Sequence, residues 1–245
     1  MPEYIFGRNA VLEALNMGLP VKKVFLSPTI KDYAKLSAKI QQSAPYVKIE
    51  QLSRRKMDSI AGGIRTGGMA AILQEVKRLT SIDSLVSTFQ KQTIPPLLIA
   101  LDEIHDPRNF GAIIRSAAGA GFHGIVYQKR RQVGITGAVA ATSAGACFRI
   151  PLCEVVNLPR ALTVLKNCGF WIYGTDTGKC TSLYDVHFNT PLVIVIGSEN
   201  KGMRRLVRTM CDEIIAIPLQ SGLESLNASV AAGITMFEIV RQINQ

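Results

Sequence analysis

Three stretches of this 245-residue chain set isolated polar side chains among small or apolar neighbours. LDEIHDPRNFGAIIRSAAGAG carries Asn109 and Arg115, LVIVIGSENKGMRRL carries Glu199, and IPLQSGLESLNASVAAGITMFE carries Ser225 and Asn227. Two amides, a guanidinium, a carboxylate and a hydroxyl form a set suited to gripping and orienting a polar, anionic substrate. Other chemistries are poorly supplied. Five cysteines (Cys147, Cys153, Cys168, Cys180, Cys211) stand singly with no C-x-x-C pair, and only three histidines are present. That spacing argues against a metal site and against a disulfide framework, and free thiols in a reducing compartment are expected.

Each polar residue also has a plain structural alternative. Asn109, Ser225 and Asn227 can serve as helix caps, and Glu199 can favour the N-terminus of a following helix. Arg115 is harder to place in that way. A guanidinium in the middle of a small-residue helix needs either an anionic partner or an exposed face.

The elements that hold these residues read as alternating strands and helices after Pro95-Pro96. Strands are expected at 97–104, 124–128, 148–155, 170–175, 191–197 and 213–218, and helices at 109–120, 136–146, 158–168, 201–210 and 225–243. Runs such as PLLIAL and PLVIVIG lack period-two alternation, as strands buried on both faces of a parallel sheet do. The second part of the chain is therefore α/β with a mostly parallel sheet. In such sheets ligands collect at the carboxyl ends of strands, where all three polar stretches fall. Gly197, after a buried strand, makes a floor for an adenosine-sized ligand. No G-x-G-x-x-G follows any strand, which excludes an ordinary dinucleotide fingerprint and disfavours a nicotinamide-dependent oxidoreductase.

Residues 1–76 read as a separate small α/β module, with helices before Gly18 and at 31–42 and strands at Lys23–Leu26 and Tyr46–Ile49. Residues 77–96 are expected to be a linker, with Ile82, Leu85, Val86 and Phe89 spaced for a short amphipathic helix, and 97–245 the second domain. Charge is uneven: residues 1–96 hold 14 basic and 7 acidic side chains, and residues 97–245 hold 14 and 11. A basic module beside a nearly balanced one suggests that the first holds a polyanion. Its cations cluster at Lys22, Lys23, Arg54, Arg55, Lys56 and Arg65, the last between glycine pairs that let a phosphate approach the backbone. Aromatic interleaving is thin, which favours recognition of RNA shape and backbone over base stacking. A hydrophobic fraction of 47% excludes disorder. No apolar run approaches the roughly 20 residues of a membrane span, and the N-terminus lacks a signal pattern, so a cytoplasmic protein is expected.

Taken together, the three stretches closely resemble the signature motifs of the TrmH branch of the SPOUT superfamily, knotted RNA ribose methyltransferases that use S-adenosylmethionine. YIFGRNAVLEAL and the later GGMAAI resemble the RNA-binding domain that precedes the catalytic domain in bacterial 23S rRNA guanosine 2′-O-methyltransferases. The resemblance implies a SPOUT-type catalytic domain with a deep C-terminal trefoil knot, a homodimer, no metal, and methyl transfer to a ribose 2′-hydroxyl, with a guanosine of 23S rRNA as first expectation. Transfer to tRNA, or a non-catalytic RNA-binding assembly factor, are the alternatives. By motif position, Asn109, Arg115, Glu199, Ser225 and Asn227 correspond to the family's catalytic polar residues. Thr175, Gly197, Ile217 and Leu226 fall where members line the methyl-donor pocket. Arg108 departs from the His or Gly that many members carry there.

Overall fold

The computed structural model describes residues 3–19, 21–73, 79, 81–89, 94–130, 132–178, 180–199, 201–220 and 223–244. The chain runs β1 (Glu3–Phe6), α1 (Arg8–Asn16), β2 (Val21–Leu26), α2 (Tyr33–Ser43), β3 (Lys48–Gln51), α3 (Arg54–Ala61), β4 (Met69–Leu73), α4 (Ile82–Ser87), β5 (Leu97–Leu101), α5 (Pro107–Gly119) and β6 (Gly124–Gln128). It continues through α6 (Gly137–Thr142), a 3₁₀ turn at Ala146–Phe148, β7 (Leu152–Val155), α7 (Leu158–Asn167), β8 (Trp171–Thr175), β9 (Thr181–Ser182), β10 (Leu192–Ile196), α8 (Arg205–Arg208), β11 (Glu213–Ala216) and α9 (Ala228–Ile243).

Two compact units result, one of residues 1–77 with 134–149, the other of 78–133 with 150–245. The first is a four-stranded sheet in the order β1-β4-β2-β3, antiparallel except for the β2–β3 pair. Phe6, Ala70 and Phe25 share one face by register, and Met57 and Ala61 of α3 pack on that face. The segment 134–149 joins this unit rather than the second: α6 lies on β1, and Arg149 makes a two-pronged ion pair with Glu13 of α1 at 2.5 and 2.8 Å.

The second unit is a seven-stranded sheet in the order β7-β6-β5-β10-β8-β11-β9, parallel in every pair. All residues of β5, β6 and β10 are buried, as expected of strands covered on both faces. Its core joins Leu98, Val126, Val193 and Val195 to Leu158, Leu162 and Leu165 of α7.

The segment read from sequence as a linker differs from that reading. Residues 77, 78, 80 and 90–93 lie outside the described residues. The remainder is in part core: Ile82, Leu85 and Phe89 are 5%, 0% and 7% exposed within the same cluster. Leu79 extends the sheet beside Cys153, its N–H bonding Leu152 O at 3.1 Å and its carbonyl accepting from Glu154 N at 2.8 Å. The physical reason is that an amphipathic helix with a continuous apolar stripe must bury it, and the outer end of the sheet offers the place.

Element ends also shift where local caps decide them. Helix α5 starts at Pro107 because the Asp106 carboxylate accepts the Arg108 N–H at 2.8 Å, so Asn109 is not the cap. The same N–H, aided by the Arg108 guanidinium, holds the Asp106 carboxyl below its ordinary pKa. The helix expected over 201–210 shrinks to Arg205–Arg208, because Ser198 and Gly202 close a tight antiparallel turn ahead of it. The helix expected from 225 begins at Ala228, capped by Asn227.

Candidate active site

The carboxyl ends of β8, β10 and β11, neighbours in the second unit's sheet, open onto one cavity of about 320 Å³. Thr175, Gly197, Ile217 and Leu226, the four residues expected to line a methyl-donor pocket, all line this cavity: Thr175 ends β8, Gly197 follows β10, Ile217 follows β11 and Leu226 precedes α9. Glu199 and Ser225 line the same cavity. Thr175 is fixed by its hydroxyl, which donates to Val195 O on the next strand at 3.0 Å.

Gly197 is dictated by space. A Cβ there would run into the backbone of Gly202 and Met203, because the 198–202 turn folds directly back over it. The turn is secured from below by Asp102, fully buried at the end of β5. Its carboxylate accepts the Arg204 backbone N–H at 2.8 Å and Nε at 2.7 Å, and Arg204 Nη2 reaches Gln128 Oε1 at 2.8 Å. Arg204 thus ties the turn that carries Glu199 to the ends of β5 and β6.

The polar motif residues form a relay. Asn109, only 9% exposed, donates Nδ2 to Glu199 Oε1 at 2.5 Å and accepts from Asn227 Nδ2 at 3.0 Å through Oδ1. Asn227 Oδ1 in turn accepts from Ser229 N at 3.0 Å and Val230 N at 3.3 Å, capping α9. Asn227 is therefore both cap and relay member, whereas Asn109, in the first turn of α5, has its side chain free to reach across. Neither Asn109 nor Glu199 takes the structural role that its sequence neighbourhood also allowed. Ser225 is exposed two residues ahead of the Asn227 cap and takes no capping role.

Arg115 is not brought to the cavity of its own chain. It stands six residues beyond Asn109, a rise of about 9 Å and a turn of about 240° along the helix. Its side chain is exposed, with no hydrogen bond or ion pair among the described residues. Of the six cations singled out in the first unit, Lys22, Arg54, Arg55, Lys56 and Arg65 are exposed. Lys23 is partly buried, paired with Glu50 at 2.7 Å and lying over the Phe25 ring.

Cavity residues that the sequence reading missed include Asp176, Thr177, Lys201, Glu224 and Thr235. Asp176 and Thr177 directly follow a buried strand, so the carboxyl-end rule that selected Thr175 could have included them. Thr235 carried no such signal, sitting two turns into α9 amid apolar residues. It is 1% exposed, and its hydroxyl has no hydrogen-bond partner. No group of three or more metal-ligating side chains occurs among the described residues, and the five cysteines are free. Burial pushes the Cys153 and Cys211 thiols up to about 12, so neither is poised as a nucleophile. No helix among the described residues is long and apolar enough to cross a membrane.

Comparison with known proteins agrees with this arrangement. Residues 96–237 match the SpoU rRNA Methylase family, and residues 4–79 match the family described as RNA 2′-O ribose methyltransferase substrate binding. YacO of Bacillus subtilis, described as a TrmH-family tRNA/rRNA methyltransferase, is 37% identical over 243 residues, covering 99% of this chain and 96% of that protein. A Mycobacterium leprae protein described as an uncharacterized tRNA/rRNA methyltransferase is 39% identical over 241 residues, 98% of this chain and 77% of its own length. The crystal structure of the SpoU methyltransferase AviRb from Streptomyces viridochromogenes, in complex with AdoMet, is similar with a TM-score of 0.79 at 21% identity, covering 98% of this chain and 90% of that one. An AdoMet-bound rRNA methyltransferase from Sinorhizobium meliloti has a TM-score of 0.77 at 20% identity, with 98% and 87% covered. The structural likeness establishes the fold; the family match over the catalytic half and the end-to-end likeness to YacO establish that this chain belongs to the SpoU family of RNA methyltransferases.

Proposed function

We infer that the protein transfers a methyl group from S-adenosylmethionine to a ribose 2′-hydroxyl in structured RNA, with a guanosine of 23S rRNA as the expected target. The observation that carries this reading is the Glu199–Asn109–Asn227 relay at the edge of a cavity lined by Thr175, Gly197, Ile217 and Leu226. The cavity fits the donor in kind. Its volume falls in the range of small-ligand sites, Glu199 and Glu224 in its lining suit a ligand bearing positive charge, and the buried Thr235 hydroxyl beside it lacks a partner. S-adenosylmethionine, when bound, supplies a methyl carbon activated by its sulfonium.

The chain's own residues would then orient and stabilise. Asn109, held at both ends of its amide, presents a fixed polar surface to the ribose, and Glu199 and Asn227 prevent it from rotating. Arg115, exposed and unpartnered, is free to grip an RNA phosphate with its planar fork, in its own subunit or in a partner's site. A guanidinium is a poor base at neutral pH, so the 2′-hydroxyl proton passes to phosphate, to water or to Arg115. A homodimer and a C-terminal knot belong to the same reading. Val230 and Phe237 of α9, 49% and 54% exposed, offer apolar surface for a second copy.

The relatives' description as tRNA/rRNA methyltransferases keeps tRNA as the second substrate reading. Mapping 2′-O-methylation in rRNA and tRNA from a deletion strain distinguishes them: a single lost rRNA guanosine methylation supports the first, and a lost tRNA methylation the second. Unchanged methylation, together with no calorimetric binding of S-adenosylmethionine, would leave a non-catalytic RNA-binding factor.

A further inference from the structure

The six cations singled out in the first unit do not share one surface, and the sheet register separates them. Gly7 N bonds Met69 O at 2.9 Å, Ser27 N bonds Gly68 O at 2.8 Å, and Leu52 N bonds Leu26 O at 3.1 Å. The carboxyl ends of β1, β2 and β3 and the start of β4 are therefore level with one another. Within a few residues of that end lie Arg8, Lys31, Arg54, Arg55, Lys56 and Arg65. Lys22 and Lys23 lie toward the other end of β2, about 13 and about 10 Å from Leu26 by strand rise. Lys23 and Lys48 share Glu50, the residue before the last of β3, at 2.7 and 3.3 Å, so the Lys23 ammonium is already engaged within the sheet.

The side chains at the level end are of a different kind. Arg8, Lys31, Arg55, Lys56 and Arg65 are exposed and have no ion pair among the described residues. Arg54 alone approaches an acid, Asp58, at 4.0 Å. Three acids, Asp32, Glu50 and Asp58, stand nearby; Glu50 is paired with Lys23 and Lys48, and Asp58 is already engaged by the Thr66 hydroxyl at 2.7 Å. That bond has a second effect. Thr66, 1% exposed, also accepts Gly68 N at 3.3 Å, so the loop bearing Arg65 is anchored to α3 before any ligand arrives. Gly67 in that loop has φ +57 and open space where a Cβ would stand, leaving its backbone approachable.

We propose that this end of the first unit's sheet is the RNA-phosphate contact surface, formed by Arg8, Lys31, Arg55, Lys56 and Arg65, and that Lys22 lies outside it. The proposal rests on the RNA-methyltransferase reading for the identity of the polyanion. Four strands at 4.7–4.9 Å spacing give an edge of about 14 Å, too broad for one phosphate and suited to a run of backbone phosphates. Arginine predominates, which favours two-pronged contact with phosphate oxygens. Arg8 and Lys31 enter the surface only through the register, since neither belongs to a charge cluster in the sequence.

The test is binding of the full-length protein to a fluorescein-labelled RNA stem-loop by anisotropy across 50–200 mM salt, a range over which phosphate contacts change affinity strongly. Arg8→Ala, Arg55→Ala and Arg65→Ala should each lower the slope of log K against log salt by about 0.7–0.9, and the triple variant by about 2–3. Lys22→Ala should leave affinity and slope at wild-type values. A triple variant with the wild-type slope, or a Lys22→Ala loss equal to that of any single arginine, would overturn the proposal. Thermal melting of each variant checks folding, and the single variants carry the test if the triple variant unfolds. Calorimetric binding of S-adenosylmethionine to the same preparations is scored separately: its absence in wild type would sink the methyl-transfer reading without altering what the salt slopes say about this surface.

Discussion

Asn109 Nδ2 lies 2.5 Å from Glu199 Oε1, a contact made across 90 residues of chain. It joins the first turn of α5 to the turn after β10, and Asn227 extends it to the cap of α9. Replacing the amide donor by a carboxylate, Asn109→Asp, sets two like charges against each other in a half-buried place. The donor that holds Asn109 to Glu199 is lost, and transfer by this variant should fall at least about tenfold. Single-turnover transfer checks this, and wild-type rates would show that the contact has no part in the reaction.

Gly197 makes a separate demand, on space. With Gly197→Ala the added methyl meets the backbone of Gly202 and Met203, which cannot move without lifting the turn that carries Glu199. Overpacking of this kind costs about 1–3 kcal/mol, and the cavity wall is where the strain is released. Affinity for S-adenosylmethionine should fall more than about tenfold, equivalent to about 1.4 kcal/mol, with a lower melting temperature. Unchanged calorimetric affinity would mean that the close turn does not shape the donor site.

Leu85 tests the part of the chain that looked like a connector. It is fully buried against the second unit's core, so Leu85→Ala should cost about 2–5 kcal/mol in urea unfolding. A fragment beginning at residue 97 would lose the same packing together with Ile82 and Phe89. It should melt well below a fragment beginning at residue 78, and equal melting would show that α4 adds little to the fold.

That case shows what the sequence could and could not convey. Leu97–Leu101 and Leu192–Ile196 read as buried parallel strands because unbroken apolar runs have few other uses. Ile82, Leu85 and Phe89 showed a helical stripe, but periodicity does not reveal what the stripe packs against. Helix α3 carries little signal because RRKMDSIA offers only Met57 and Ala61 as buried positions. The membership of 134–149 in the first unit comes from α6 lying on β1 and Glu13 meeting Arg149 over 136 residues, which no local pattern signals. In the site, motif position marked Asn109, Glu199 and Asn227, but only the fold shows that they bond one another.

The cysteines give a prediction with a defined pH sense. Burial raises the Cys153 and Cys211 thiols from 9.0 to about 12, while Cys168 is exposed. In the native protein at pH 8, Cys168 should react readily with an aromatic disulfide reagent, the partly exposed Cys211 more slowly, and Cys153 only after unfolding. Because their folded pKa is raised, the stability linked to these two thiols is intact below pH 9, the unfolded value. It is lost progressively as pH rises toward 12, where only the unfolded chain binds fewer protons. Rapid native labelling of Cys153 would contradict its burial.

Arg115 separates two roles that make different demands on one side chain. As a phosphate grip it needs a planar fork, and Arg115→Lys keeps the charge but loses the second prong, so RNA binding should survive in part while transfer falls because the ribose is held loosely. Arg115→Ala should then lose both. Its exposure without an ion pair suits a contact made only when RNA arrives, and implies that neither substitution unfolds the protein. As a base it would instead need a lower pKa, and lysine, with a reference value near 10.4, would retain measurable function if its amine reached the hydroxyl. Single-turnover rates across pH, with RNA and donor saturating, tell the roles apart. A uniformly depressed Arg115→Lys profile with the wild-type pH dependence fits the grip, whereas retained activity with a new titration belonging to the amine fits the base. Transfer by Arg115→Ala at the wild-type rate would remove Arg115 from the site altogether and leave the relay of Glu199, Asn109 and Asn227 to orient the ribose alone.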